Sequence, residues 1–431
     1  MMNTKEISGK RQMEFLADFD YIREAGTEGE AKAAERIRAE LGSFGVESHL
    51  EEFAFSAFQI KKATLTVTKP YRKEYTVTGY GRCGNTTEEG TEAAFLYAEN
   101  GDDINLSYAK GKIVMVNEVV RVEMYQKLQQ AGAVGFISIA GTPLDEGVDL
   151  TPRAYSLPRN LQGEKDQQVL EDIEKEAEKY SKRMPGISIH YKDAVELVTK
   201  GASQVCLTVR QEIITRTSRN VVARIEGTDK GEEILTLTAH YDSVPEGPGA
   251  YDNMAGGAII MELCRYFKSY RPRRTIEFVW FGAEEKGLLG SQNYIRVHEK
   301  ELAAHRFNMN VDLAGQLVGG TVVGVTADIS VCELITHMAQ EIGIGMSVKN
   351  QIWGSDSNTF ARKGIPAMTL NRDGFGMHTR HDTIALLSDW SLERSAILLG
   401  YIAEELGNRE NFPFERKVPE NFISQLEKYF A

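Results

Sequence analysis

After Ile213 the chain settles into a repeating order that few folds can satisfy. Short strand-like runs at residues 234–239, 276–281, 307–311 and 366–370 alternate with helix-patterned stretches, clearest at 254–270, 330–342 and 390–406. Strands joined through helices pair in parallel, and the helices then cover both faces of the sheet. The fold class expected is therefore α/β, with a mixed, mostly parallel central sheet flanked by helices. Sheets of this kind place their chemistry beyond the carboxyl ends of the strands, so those positions carry the search for function.

The 431 residues allow more than this one sheet. An opening helical stretch, with Ala33, Ala34, Ile37, Leu41 and Phe44 at helical spacing, has no sheet of its own to cover and is expected to pack on the later one. From about Ile60 the pattern changes to short β-rich pieces, then a strand at 112–117, a helix at 122–131 and a strand at 134–139. Residues 1–59 and 212–431 are thus expected to form one catalytic domain, interrupted by a smaller α/β domain at 60–211. The densely charged stretch 162–182 reads as a solvated helix or excursion.

Charge and cysteine usage remove several function classes. Lys and Arg number 50 against 62 Asp and Glu, a formal charge of −12, which suits no phosphate backbone. The four cysteines, Cys83, Cys206, Cys264 and Cys332, form no CxxC pair and so no zinc ribbon or disulfide scaffold. The polar start, 1–12, lacks a signal peptide's apolar core, and no run of 18 apolar residues exists to span a membrane. The expectation is a cytoplasmic enzyme with no nucleic-acid or membrane partner.

Read in order, the strand ends supply a list of metal-binding side chains. The first ends in His240-Tyr241-Asp242, and the loop after it reaches Asp252-Asn253 at a helix start. The second leads to Glu284-Glu285, the third to Asp312, and a late loop carries His378-Thr379-Arg380-His381-Asp382. One such residue has an ordinary explanation, since Asp or Asn before a helix is commonly an N-cap. Five converging loops do not. Two imidazoles with three or four carboxylates match a pair of divalent ions that share one carboxylate. His240 and Asp312 would hold one ion and Glu285 and His378 the other, with Asp252 as the bridge. Spacing alone leaves His381 competing with His378. Glu284, pointing away from its neighbour, is free to act as a base. Asp242 is placed to accept the spare ring proton of His240, and Asp382 or Asp356 could serve His378 in the same way.

Other arrangements fail. His298-Glu299 begins like a helical zinc motif, but position 302 is Leu, so His298 and His305 are expected to be surface residues of a charged helix. Ser243, Ser291 and Ser355 lack the Gly-x-Ser-x-Gly context of a serine nucleophile. Trp353, Phe360 and Phe375 could line a specificity pocket or belong to the core.

The stretches HYDSVPEGPGAYDNMAGG, FVWFGAEEKGLLGSQNY, NMNVDLAG, SDSNTFARKGIPA and MHTRHDT resemble, in order and spacing, the motifs of the co-catalytic di-zinc aminopeptidases and their glutamate carboxypeptidase relatives. The opening segment REAGTEGEAKAAERIRAELGSFGVE is similar to that family's first helix. The resemblance implies His240, Asp252, Glu285, Asp312 and His378 as ligands of two Zn²⁺, or of another divalent ion. It implies Glu284 as the general base, and it decides for His378 over His381. GKIVMVNEVVRVEMYQKLQQAGAVGFISI and MPGISIHYKDAVELV resemble a protease-associated domain. The activity implied is hydrolysis of an amino-terminal peptide bond by a water bridging two cations, with peptides as substrates. A carboxypeptidase or dipeptidase would need fixed cations for a terminal carboxylate, and Arg372 and Arg380 are candidates; Asp373 could instead meet an ammonium. An inactive binding relative would have lost ligands, and all are present here.

Overall fold

The computed structural model describes residues 2–159, 161 and 173–430, so most of the charged stretch 162–182 lies outside the described residues. The chain divides into two compact units, Met1–Phe55 with Arg216–Ala431, and Ser56–Thr215. Two long strands, β1 (Ser48–Lys69) and β8 (Gln204–Ile225), carry the chain out of the first unit and back.

Between them lie β2 (Lys73–Tyr75), β3 (Val77–Gly79), β4 (Thr91–Tyr97), β5 (Lys112–Val116), β6 (Gly135–Ala140) and β7 (Gly186–His190). Strands β4, β5, β6 and β7 are parallel neighbours, and β3 pairs antiparallel with β7. This smaller unit has its own core, built on Ile113, Met115, Tyr125, Phe136, Ile187 and Leu207.

The larger unit continues with β9 (Lys230–His240), β10 (Arg274–Phe281), β11 (His305–Val311), β12 (Thr321–Thr326), β13 (Ser347–Asn350) and β14 (Ala367–Arg372). Their order across the sheet is β13-β12-β14-β11-β9-β10-β8. The sheet is mixed and mostly parallel: β12 runs antiparallel to β14 and β8 to β10, and the other neighbours are parallel.

The two faces of β9 and β11 differ in chemistry. Leu235, Leu237 and Ala239 join Phe307, Met309 and Val311 in an apolar core with Ala258 and Ile259 of the helix Ala255–Ser269. The helix Glu28–Ser43 puts Ala33, Ala34, Ile37 and Leu41 into the same core. Because side chains alternate along a strand, the other face carries Thr236, Thr238 and His240 on β9, and Asn308 and Asn310, followed by Asp312, on β11. Cross-strand register pairs Thr236 with Asn308 and Thr238 with Asn310. Thr238 Oγ1 donates to Asn310 Oδ1 at 2.8 Å, and Asn310 Nδ2 donates to Ser355 Oγ at 2.7 Å. A buried, hydrogen-bonded polar face thus leads up both strands and ends in two candidate ligands.

Two histidines depart from the expectation. His305 is fully buried at the start of β11, with Nδ1 2.8 Å from Thr236 Oγ1, because the residues after it form a strand beside β9. His298 is half-buried and its Nε2 lies 2.6 Å from Glu51 Oε1. Neither is a surface residue of a charged helix. Phe360 belongs to the core, Trp353 packs half-buried over Gly324, and Phe375 is 72% exposed.

Candidate functional site

His240 is the last residue of β9, Asp312 follows β11 directly, and Glu284-Glu285 follow β10 after the two-residue turn Gly282-Ala283. Asp252 lies in the irregular turn Ala250–Met254 that enters the helix Ala255–Ser269, and His378 in the loop after β14. These six side chains form two groups, His240 with Glu284 and Asp312, and Asp252 with Glu285 and His378; within each group the ligand atoms lie within 4.8 Å of one another.

Asp252 joins the two groups. Its Oδ1 lies 3.2 Å from His240 Nε2 and its Oδ2 lies 3.0 Å from His378 Nε2. His240 Nε2 is also 3.5 Å from Asp312 Oδ1, and His378 Nε2 is 3.0 Å from Glu285 Oε1. His381 is exposed and stands outside both groups. Burial pulls both imidazoles toward neutrality, but the facing carboxylates outweigh it, lifting His240 well above the ordinary range and His378 to about 10. Burial likewise opposes charge on Asp252, and the two imidazoles still hold its carboxyl below the usual value. The pocket favours positive charge. Glu285 Oε1 and His240 Nδ1 are buried and face His378 and Asp242 without a well-aligned hydrogen bond, and imidazole with carboxylate oxygen is a donor set that zinc accepts. The residues present fit divalent cations.

Glu284 differs from its neighbours. Burial drives its carboxyl well above the usual range, opposed by His240 and reinforced by Asp312, Glu285 and Asp356. Asp356 is fully buried with both oxygens unpartnered, and burial pushes it up to about 7.

Three side chains around the candidate ligands fix the turns that carry them. Asp242 accepts the backbone N–H groups of Glu284 and Glu285 at 3.0 and 3.2 Å, and its Oδ1 is 3.5 Å from His240 Nδ1. Asp382 accepts those of Tyr251 and Asp252 at 2.6 and 3.0 Å, which differs from the expected role of orienting the His378 ring. Asn253 donates to Val311 O at 2.7 Å and accepts from Leu313 N at 3.3 Å, bracketing Asp312. The turns are strained: Ala283, Leu313 and His378 are non-glycine residues with φ of 54°, 67° and 59°. Such conformations persist only where surrounding bonds over-determine them, as these do. Gly247 has a related task, since a Cβ there would stand 2.1 Å from Thr379 O, beside His378.

Two of the three tentative substrate contacts are bonded to a neighbouring loop. Arg372 is buried and donates to Gln316 O at 2.6 Å, Leu317 O at 2.8 Å and Thr321 Oγ1 at 3.3 Å. Asp373 Oδ2 accepts from Gly320 N at 3.2 Å, so both residues hold the 316–321 loop. Arg380 is partly exposed, one residue from His381.

Asn253 was legible in the sequence only as a helix-start residue. Alternation of Thr236, Thr238 and His240, and of Asn308, Asn310 and Asp312, was the available signal for the polar face.

Residues 220–403, which contain every candidate ligand, match the model of peptidase family M28. Over these residues the chain is similar to peptidase family M28. Aminopeptidase YwaD of Bacillus subtilis is 27% identical over 82% of this chain and 68% of its own length. Mouse carboxypeptidase Q is 24% identical over 90% of this chain and 83% of its own. Among solved structures, a zinc aminopeptidase from Bacillus subtilis superposes with a TM-score of 0.77, 24% identity and coverage of 96% and 99% of the two chains. An aminopeptidase from Aneurinibacillus sp. strain AM-1 gives 0.72, 21%, 96% and 97%. These matches support a peptidase, a hydrolase of the class that acts on peptides. Among the described residues no helix is long and apolar enough to cross a membrane.

Proposed function

We propose that this chain is a metal-dependent aminopeptidase. The observation that carries the reading is the placing of the Asp252 carboxylate between two imidazoles, one oxygen facing each. His240, Asp252 and Asp312 would hold one divalent ion, and Asp252, Glu285 and His378 a second, with zinc the metal named for the structural relative. Cations so held polarise the scissile carbonyl and lower the pKa of the attacking water. Glu284, half-buried beside His240 and Asp312, would take the proton of that water and pass it to the leaving amine. Asp242 keeps Glu284 and Glu285 in register by holding both their amides.

The surplus of carboxylates around the site suits a substrate that arrives with a free ammonium. Arg372, a candidate cation for a terminal carboxylate, spends its donors on the 316–321 loop, which supports the aminopeptidase reading over the carboxypeptidase one. The likeness to carboxypeptidase Q supports the second reading, a carboxypeptidase or dipeptidase of the same family. The unit Ser56–Thr215, with its parallel strands and own core, is assigned as protease-associated on its α/β order.

A panel of free, amino-acetylated and carboxy-amidated peptides, assayed with metal analysis, tests the assignment. Cleavage should survive amidation and vanish on acetylation. Cleavage of acetylated peptides that requires a free terminal carboxylate would instead establish the carboxypeptidase.

A further inference from the structure

Arg23 stands in the amino-terminal segment, outside the residues that match the family model, yet its side chain is fully buried against the loops that carry the candidate ligands. A buried guanidinium is costly unless its donors are satisfied, and the usual partner is a carboxylate. Here the partners are carbonyl oxygens. Nε donates to Tyr241 O at 2.8 Å, Nη2 to Gly249 O at 2.9 Å, and Nη1 to Phe19 O at 2.7 Å and Tyr21 O at 3.1 Å. Tyr241 lies between His240 and Asp242, and Gly249 three residues before Asp252. The backbone adds to the link, for Arg23 N donates to Ser243 Oγ at 2.9 Å and Ser243 N to Arg23 O at 3.2 Å. The charges of Asp242 and Asp382, which hold the Glu284-Glu285 and Tyr251-Asp252 amides, also act on this guanidinium.

We infer that Arg23 is a positioning residue of the metal centre, its planar guanidinium setting the separation of the His240 and Asp252 loops through the Tyr241 and Gly249 carbonyls. This rests on the reading of the site as a metal centre. The geometry explains why the group is a guanidinium: two carbonyls of one loop pair and two of the amino-terminal segment need donors that diverge in one plane. A lysine ammonium is a single point at the end of a flexible stem and cannot span them. It also ties the amino-terminal segment to the catalytic unit, since the Phe19 and Tyr21 carbonyls share the guanidinium with the two loops.

Cobalt(II) titration of the metal-free protein tests this, because the visible absorption of bound cobalt reports both affinity and ligand geometry. Arg23→Lys is compared with wild type and with Arg274→Lys. Arg274 is an equally buried arginine at the far end of β10, bonded to Glu233, Leu406 O and Arg409 O. Arg23→Lys should bind cobalt roughly 10- to 100-fold more weakly and with an altered spectrum, as changes behind metal ligands do. Arg274→Lys should lower the melting temperature and leave the cobalt affinity and spectrum unchanged. Unchanged affinity and spectrum in Arg23→Lys would overturn the inference. So would a variant that stays unfolded at saturating cobalt, since Arg23 would then serve folding at large. Wild type that binds no cobalt would remove the metal reading itself, a result separable from the other two.

Discussion

Glu284 and Glu285 are consecutive, chemically identical and differently placed. Glu285 Oε1 faces His378 Nε2 at 3.0 Å, while Glu284 groups with His240 and Asp312. If Glu284 moves the proton, Glu284→Gln should keep the bound metal and lose roughly 10²- to 10⁴-fold in kcat, with little change in KM. Full activity in that variant would show that another group is the base. Asp382 has a different task. Both its oxygens accept backbone N–H groups, and Asp382→Asn would turn an amide N–H toward one of those donors. The Asp252 turn should loosen, and metal affinity should fall roughly 10- to 100-fold by equilibrium dialysis. An unchanged affinity would mean that the cis Asp252-Asn253 turn is held by other bonds.

At the scale of elements, β9 and β11 explain why the candidate ligands arrive together. Their parallel register sets Thr238 beside Asn310 and carries His240 and Asp312 to the same end of the sheet. The start of β11 holds a consequence of burial instead of function. His305 is buried among Tyr294 and Phe360, with Nε2 unpartnered, and burial pushes its imidazole down to about 4. An unfolded histidine takes a proton near pH 6.5, so between that value and about 4 the unfolded chain binds more protons than the folded one. Stability is therefore present above about pH 6.5 and lost as pH falls toward 4, by up to about 3 kcal/mol from this residue. Urea unfolding of His305→Phe should show a flatter loss across that window than wild type. Parallel pH profiles for the two proteins would refute the assignment.

At the scale of the molecule, four of the 62 acidic residues come together in the two adjoining groups, Asp252 and Asp312 buried and Glu284 and Glu285 half-buried. Cations that bind only the folded state stabilise it by mass action, about 2.7 kcal/mol at a free concentration near 100 times Kd. Chelation should therefore lower the melting midpoint by roughly 5–10 °C, and zinc should restore it. Identical midpoints in chelated and zinc-loaded protein would argue that these side chains hold no metal.

The order of strands and helices, the mostly parallel sheet and the strand ends that carry the candidate ligands were all readable from the chain. Each depends on residue type and spacing: apolar runs of strand length, and His, Asp and Glu directly after them. The choice of His378 over His381 came from the family resemblance and not from spacing, because two histidines in one loop differ in sequence by position alone. His378 points at Asp252 and Glu285 while His381 is exposed. Tertiary structure also decided Arg23, Arg372, His305 and Asp382. Their partners are mainly backbone carbonyls and amides, or a burial site set by strand pairing. Every residue carries the same backbone groups, so no pattern of side chains announces which will meet, and only the packing of distant segments determines it.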